Sequence, residues 1–197
     1  MSGDPMPSLA VKTVAFTRRF LRARKGATAV EFAIISVPLM LFMFGIFELA
    51  MILLVTSTLD TATDFAARNI RTGEFRSSGA ITAADFRGLV CRNMSWLKDT
   101  CAAGNMSVDA ESFSTFAKVA AKAEPDPNLP PQPCWEVGNP GDIILVKTKF
   151  TWPILNPMLR PLFEDKQGSG SVALGSVRLF RNEPYNPNLT PVGDKCS

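Results

Sequence analysis

Acidic residues and four cysteines are the side chains that could do chemistry in this chain, because it contains no histidine. A Ser-His-Asp triad and a Cys-His pair are therefore excluded. Glycosidase-like chemistry needs one pair of carboxylates, and Asp109 with Glu111 or Glu164 with Asp165 could supply it, but neighbouring acids are typical of solvated surface. Phosphate-binding glycine loops and calcium loops are missing from the sequence, and its basic residues are not interleaved with aromatics. We therefore expect no enzyme activity, no cofactor and no nucleic-acid partner.

The cysteines suit disulfides better than a metal site. None of the cysteines forms a CxxC pair, so a zinc ion would need thiolates at irregular spacing; they are Cys91, Cys101, Cys134 and Cys196. Four cysteines allow three pairings, all of which stay open at this point. Closure of the shorter loop favours Cys91 with Cys101, which leaves Cys134 with Cys196.

Glu31 and Glu48 are the acids in unusual surroundings, because they lie at the start of and inside an apolar run. Residues 32–55 contain Glu48 as their only charged residue. About 20 apolar residues cross a hydrocarbon core of roughly 30 Å, so the run predicts a transmembrane helix. A carboxylate in the first helical turn gains about 0.3–1 kcal/mol from the helix dipole without any partner. Glu48 is expected either to meet a polar group of another helix or to lie near the far membrane surface.

The charge distribution predicts the topology of this span. Residues 1–26 carry six Lys or Arg residues and one acid, whereas residues 73–197 carry equal numbers of both signs. Basic residues beside a first span stay in the cytoplasm, so the C-terminal part, with all four cysteines, is expected on the exported side. A cleaved secretory signal is the competing interpretation, but its apolar core should be only 7–15 residues long.

The helical pattern continues beyond the membrane run. Gly73 is placed as a C-terminal stop, and no break precedes it. The apolar residues at helical spacing are Leu59, Ala62, Ala66 and Ile70. A helix over residues 28–72 would be about 65 Å long, so its outer half should pack against the exported domain. Pro38 either kinks the inner half or is simply tolerated there.

The rest of the chain predicts an α+β domain. Thr82 and Asp85 form the signature of a capping box at the start of an amphipathic helix over residues 82–99. Its predicted buried face is Phe86, Leu89, Val90, Met94 and Leu97. Residues 142–152 alternate as a strand, residues 170–181 are its predicted antiparallel partner, and residues 105–113 suit a short strand.

Three regions are therefore predicted along the chain. Residues 1–26 are a basic cytoplasmic leader, and residues 27–72 are one long helix that includes the span 32–55. Residues 73–197 are the exported domain, in which the proline-rich residues 124–141 are expected to form an exposed loop.

The N-terminal motif resembles the TadE-like family of the tight-adherence pilus apparatus. The family pattern is a basic lead, then G-x-x-A-V-E-F-A, a proline, and G-x-x-E. The residues that carry it here are Gly26, Ala29, Val30, Glu31, Phe32, Ala33, Pro38, Gly45 and Glu48. The closing residues 181–187, RNEPYNP, also look like the family's C-terminal signature.

The resemblance implies that this chain is the substrate of a processing enzyme. A prepilin peptidase would cut between Gly26 and Ala27, and glycine lets the backbone enter a protease cleft in an extended form. The new α-amine is largely protonated near neutral pH, so the carboxylate of Glu31 could neutralise it within one subunit or between two. Glu31 and Glu48 are therefore the candidate charge-pairing residues for assembly.

The predicted function is a minor pilin or pseudopilin-like component of a tight-adherence pilus. Its expected partners are the prepilin peptidase, other pilins or pseudopilins, pilus assembly proteins and membrane lipid. The expected location is the bacterial inner membrane, with one span, a cytoplasmic N-terminus and a periplasmic domain that could enter the pilus and contribute to adhesion. The alternative is an unprocessed, membrane-anchored domain that binds an envelope partner.

Overall fold

The computed structural model describes residues 26–77, 82–122 and 134–184. The helices in these ranges are α1 (Ala27–Arg71), α2 (Glu74–Ser77), α3 (Ala83–Asn93), α4 (Lys98–Ala102), α5 (Phe116–Lys122) and α6 (Arg160–Phe163). The strands are β1 (Met106–Phe113), β2 (Ile143–Pro153) and β3 (Ser171–Arg181), in the order β1-β2-β3. The predicted fold class, a long N-terminal helix followed by an α+β domain with a small antiparallel sheet, is confirmed.

Helix α1 passes through Pro38 and ends where the sequence predicted a stop. Gly73 has a φ of 77°, a left-handed conformation that glycine adopts at little cost. Its N–H donates to the carbonyl oxygen of Ile70 at 3.1 Å, and the N–H of Thr72 donates to that of Arg68 at 3.0 Å. These bonds use carbonyl groups that the end of a helix would otherwise leave without partners.

The chain divides into two units at Glu48, inside α1. The first unit extends to Phe47, and its described part is a helix. The second unit begins at Glu48 and contains the sheet and the remaining helices. We call this second unit the folded domain.

The sheet of the folded domain is antiparallel throughout. Strand β2 lies in the centre and pairs Thr148 with Val108 of β1 and with Ser176 of β3. One face of β2 is buried, as its alternating pattern predicted: Ile144, Val146, Thr148, Phe150 and Trp152. On the opposite face, Lys147, Lys149 and Thr151 are exposed. The alternation follows from the two-residue period of a strand.

The outer half of α1 is part of the same core. Its fully buried stripe is Val55, Leu59, Ala62, Ala66 and Ile70, which are at most 3% exposed. In the middle of this contact the hydroxyl groups of Thr63 and Thr148 are 2.9 Å apart and buried. The predicted packing of this stripe against the C-terminal region is therefore confirmed.

The predicted capping box is present, but the helix that follows it is shorter than expected. Thr82 Oγ1 accepts from the N–H of Asp85 at 3.2 Å, and Asp85 Oδ2 accepts from the N–H of Thr82 at 3.0 Å. Helix α3 ends at Asn93, and Ser95 has a φ of 48°. The prediction of one helix over 82–99 was therefore wrong. A turn at Met94 and a short 3-10 helix over Ser95–Leu97 separate α3 from α4, and Cys101 returns to Cys91.

Cys91 and Cys101 form a disulfide whose Cα atoms are 5.4 Å apart. This is the pairing that the shorter loop favoured. Cys134 is also disulfide-bonded. Cys196 lies outside the described residues, so its pairing with Cys134 stays a prediction.

Removing the disulfide should destabilise the folded domain. The bridge closes a loop with a sequence separation of 10, and constraining such a loop in the unfolded chain is worth about 3 kcal/mol. We expect the double variant Cys91→Ser/Cys101→Ser to lose roughly this free energy of unfolding, measured by thermal unfolding of the full chain in mild detergent. Thr100→Ala, inside the same loop, is the control. Equal stability of the double variant and wild type would contradict the prediction.

The end of the proline-rich segment is buried, so the expectation of an exposed loop was wrong there. Trp135 and Val137 are 8% and 1% exposed. The ring of Trp135 lies 5.2 Å from that of Phe86 and 6.1 Å from that of Phe75, measured between centroids. Main-chain bonds to Ala110 hold this segment beside β1. Residues 124–133 lie outside the described ranges.

Candidate assembly site on the N-terminal helix

Gly26, the predicted cleavage position, is the residue directly before α1. It is half-buried, and a Cβ atom built on it would meet no atom within 4 Å. The fold therefore leaves room for a larger residue at this position. The basic residues 1–25 and the side chain of Ala27 lie outside what the structure describes.

Glu31 is exposed and lies four residues after Ala27 on α1. Four residues correspond to about 6 Å along a helix axis, and residues at this spacing share one face. An amine at Ala27 and the carboxylate of Glu31 would thus lie on the same side of the helix. Their pairing stays a prediction.

The helical surface between Glu31 and Glu48 is apolar on every side. Its exposed large side chains are Phe32, Ile34, Ile35, Val37, Leu39, Met40, Phe42, Met43, Phe44, Ile46 and Phe47. A helix that is hydrophobic all round is stable only in an apolar environment. Within the described residues, one helix is long and apolar enough to cross a membrane, and it is α1.

Glu48 is the first residue of the folded domain and is 1% exposed. Its Oε1 accepts from the N–H of Leu155 and its Oε2 accepts from the N–H of Asn156, both at 3.1 Å. The sequence had suggested a polar group of another helix or the far membrane surface. The structure places the carboxylate instead on the main chain of the loop that follows β2. Its role as a charge-pairing residue in assembly stays a prediction.

Polar contacts fasten the outer half of α1 to β3. Asp60 Oδ1 accepts from the hydroxyl of Ser176 at 2.6 Å and from Arg178 Nη2 at 3.3 Å. Arg178 Nε also donates to Asp64 Oδ1 at 3.3 Å. The sequence reasoning missed these residues, although two acids four apart beside a buried stripe were a usable signal.

These observations place the motif residues on a helix whose inner half is exposed and apolar and whose outer half belongs to a folded domain. Residues 26–68 match the family model of the TadE-like proteins. The resemblance predicted from the motif is therefore confirmed over that segment. No curated protein and no solved structure matches the chain.

The TadE-like segment extends beyond the apolar surface and into the folded domain. It includes Gly26, Glu31 and Glu48, and also the acids Asp60 and Asp64 that contact β3. The matched residues end shortly before the end of α1 at Arg71. The sheet against which this helix packs lies outside the matched segment.

The closing residues that looked like a family signature fasten the far end of α1. Arg71 forms an ion pair with Glu183 at 3.0 Å, and the N–H of Glu183 donates to the carbonyl oxygen of Arg71 at 3.0 Å. Asn182 is 3% exposed, and its Nδ2 donates to the carbonyl oxygens of Val137 and Asn139 at 3.0 and 3.1 Å. The signature residues described here thus have a structural role in joining the helix, β3 and the loop before β2.

Asn182→Ala should destabilise the folded domain more than a change at its neighbour Glu183. The alanine variant loses one buried and one partly buried hydrogen bond, which we expect to cost about 2 kcal/mol in free energy of unfolding. Glu183→Gln weakens an ion pair whose side chains are about half exposed, so its expected cost is below about 1 kcal/mol. Thermal unfolding of both variants tests the order. A loss in Glu183→Gln as large as that in Asn182→Ala would contradict it.

Three of the four carboxylates considered for catalysis bind main-chain groups. Glu164 accepts from the N–H groups of Gly168 and Gly170 at 2.9 and 3.2 Å, and Asp165 accepts from that of Ala173 at 2.6 Å. Asp109 accepts from the N–H of Cys134 at 2.7 Å. Glu111 is 7% exposed, so the expectation of a solvated residue was wrong for it. Among the described residues, no three acids or cysteines converge as metal ligands would.

Proposed function

We propose that this chain is a minor pilin or pseudopilin-like component of a tight-adherence pilus, cleaved after Gly26 by a prepilin peptidase. The observation that carries the proposal is the family match over residues 26–68, which indicates a component associated with this pilus system. The match coincides with a helix that is apolar on all sides and then becomes part of a folded domain. An apolar helix followed by a folded domain suits a pilus subunit that is anchored in the membrane by the helix and projects its domain.

We place the membrane-embedded part at residues 27–47. These 21 residues would extend about 31 Å as a helix, which matches the hydrocarbon core. From Glu48 onward the helix is partly covered: Glu48 and Val55 are buried in the folded domain, whereas Leu49, Leu53 and Leu54 stay exposed. We end the proposed span at Phe47 because part of the apolar run 32–55 packs against protein.

The proposed orientation puts the basic leader in the cytoplasm and the folded domain in the periplasm. The excess of Lys and Arg in residues 1–26 supports a cytoplasmic leader. The disulfide between Cys91 and Cys101 supports a periplasmic folded domain, since disulfides persist in oxidising compartments.

Cleavage after Gly26 would give the chain a positive charge at the membrane entrance of its helix. Glu31, one helical turn away, would neutralise this amine in the same subunit or in a neighbouring one. A carboxylate drawn into the membrane is costly unless it is paired, so pairing between subunits would favour one stagger of adjacent helices. Assembly then uses the charge of Glu31, and no catalysis by the chain is required.

A minor role fits the size of the folded domain better than a fibre-forming role. The major pilin of this system is little more than its helix, according to the resemblance. In this chain the sheet and helices from Glu48 onward form a separate compact unit. We therefore assign the chain to initiation, priming or capping of the pilus, or to its connection with the assembly machinery.

The proposal is tested by deleting the chain in the organism that encodes it and counting surface pili by electron microscopy. We expect pili to disappear or become rare and to return when wild type is supplied. Glu31→Lys should fail to restore them because it places like charges together, whereas Glu74→Lys, at an exposed acid of the folded domain, should restore them. Unchanged pili in the deletion strain would refute the proposed function.

A further inference from the structure

The loop between β2 and β3 carries large apolar side chains in exposed positions. Leu155, Met158 and Leu162 are 52%, 65% and 75% exposed, and all three lie within residues 154–163. The loop is ordered by its own contacts: the N–H of Leu162 donates to the carbonyl oxygen of Leu159, and that of Met158 donates to the side chain of Asn156. Three such side chains within one short ordered segment are a candidate surface for contact with an apolar environment.

This loop is attached to the point where the chain leaves the proposed membrane span. Both oxygens of the Glu48 carboxylate bind its main chain, at Leu155 and Asn156. Phe47, the last residue of the first unit, is bonded directly to Glu48. If the span ends at Phe47, as proposed, the membrane surface lies close to this loop.

The direction of the sheet places further residues at the same end of the folded domain. Helix α1 contacts Leu155 at Glu48, Thr148 at Thr63, and Glu183 at Arg71, so it runs antiparallel to β2. Trp152, at the end of β2, lies 6.3 Å from Trp96 between ring centroids, and Trp96 is 49% exposed. Half-exposed tryptophan is characteristic of the boundary between membrane and water.

We infer that the loop of residues 154–163 rests on the outer surface of the membrane that α1 crosses, with Leu155, Met158 and Leu162 in contact with lipid. The inference rests on one part of the proposed function, namely that the inner half of α1 lies in the membrane. Elements that lie in the membrane interface insert apolar side chains to a depth of about 5–10 Å. The loop would be a second membrane contact of the folded domain, and Glu48 would fix its position relative to α1.

Lipid is favoured over a protein partner by position and by charge. On both sides of Glu48, which binds the loop, α1 carries exposed apolar side chains, among them Phe47 before it and Leu49, Leu53 and Leu54 after it. Arg160 is the single charged residue in 154–163, and it is exposed. A long basic side chain can lay its carbon stem along apolar surface and reach a lipid phosphate.

The test measures the distance from lipid at single labelled positions of the full chain in lipid nanodiscs. Met158→Cys and Leu162→Cys each receive an environment-sensitive fluorophore while the native disulfides stay oxidised, and unmutated chain gives the labelling background. Val177→Cys, at a 55% exposed residue in the middle of β3, is the matched control. Phe42→Cys reports on the span itself. The quencher is a lipid with a nitroxide on its acyl chain.

We expect quenching at Met158 and Leu162 to approach that at Phe42 and to exceed that at Val177 several-fold. Strong quenching at Phe42 with the loop positions behaving like Val177 would overturn the inference and leave the membrane anchor intact. Weak quenching at Phe42 would refute the anchor, and the inference with it. Loop positions shielded from an aqueous quencher but not quenched by lipid would show that protein covers the loop, which also overturns the inference.

Discussion

Membranes that contain the prepilin peptidase should yield a chain that begins at Ala27, and Gly26→Ala should leave the chain at full length. The physical reason is that glycine lets the backbone enter a protease cleft in an extended conformation without a side chain in the way. A methyl group at this position would narrow the fit in the cleft. It would leave the folded chain unchanged, because a Cβ on Gly26 meets nothing within 4 Å. We expect nearly complete loss of processing.

Intact mass and N-terminal sequencing of the purified chain measure this result directly. Gly88→Ala is the matched control, since a Cβ on Gly88 also meets nothing within 4 Å and the residue lies in α3, far along the chain from the cleavage position. This control should be processed like wild type. Omission of the peptidase should leave every variant at full length.

A wild-type chain that keeps its basic leader in the presence of the peptidase would contradict the prediction. The chain would then be better described as an unprocessed, membrane-anchored domain that binds an envelope partner. Glu31 would remain as an acid in the first turns of α1, stabilised by the helix dipole. Processing of Gly26→Ala at the wild-type rate would show that the peptidase does not depend on this glycine.

Glu48→Ala should strongly destabilise the folded domain. The carboxylate is 1% exposed and accepts two main-chain hydrogen bonds, from Leu155 and Asn156. Hydrogen bonds to a charged group contribute about 1.5 kcal/mol or more each, and their loss leaves two N–H groups to find other partners. We expect a loss of about 3 kcal/mol in free energy of unfolding. For a chain of this size that corresponds to a decrease of roughly 6–12 °C in Tm.

Thermal unfolding of full-length chain in mild detergent, followed by near-ultraviolet circular dichroism, measures the effect. Glu48→Gln keeps one carbonyl oxygen as an acceptor and should fall between alanine and wild type. Glu74→Ala removes an exposed acid and should change stability by less than about 0.5 kcal/mol. A Tm for Glu48→Ala equal to that of Glu74→Ala would show that the buried carboxylate does not hold the loop after β2.

Local patterns in the sequence predicted the long helix, the strands and the start of α3, but not the short helices. The period of the apolar residues, with Gly73 as a stop, predicted α1, and strict alternation over 142–152 predicted β2. The capping box of Thr82 and Asp85 gave the start of α3 to the residue. Such signals depend on neighbours within one or two turns, so they can be recognised without knowledge of the fold. The motif from Gly26 to Glu48 likewise predicted the family match.

The contacts made by the acidic residues could not be predicted from the sequence and became known only from the tertiary structure. Glu48 meets residues 107 and 108 positions away, and Arg178 meets Asp60 at a separation of 118. The burial of Trp135 depends on Phe75 and Phe86, which belong to other elements. These partners are set by the alignment of α1 against the sheet, a property of packed side chains from distant segments. Local periodicity carries no record of that alignment, because a helix with the same pattern could lie against the sheet in several registers.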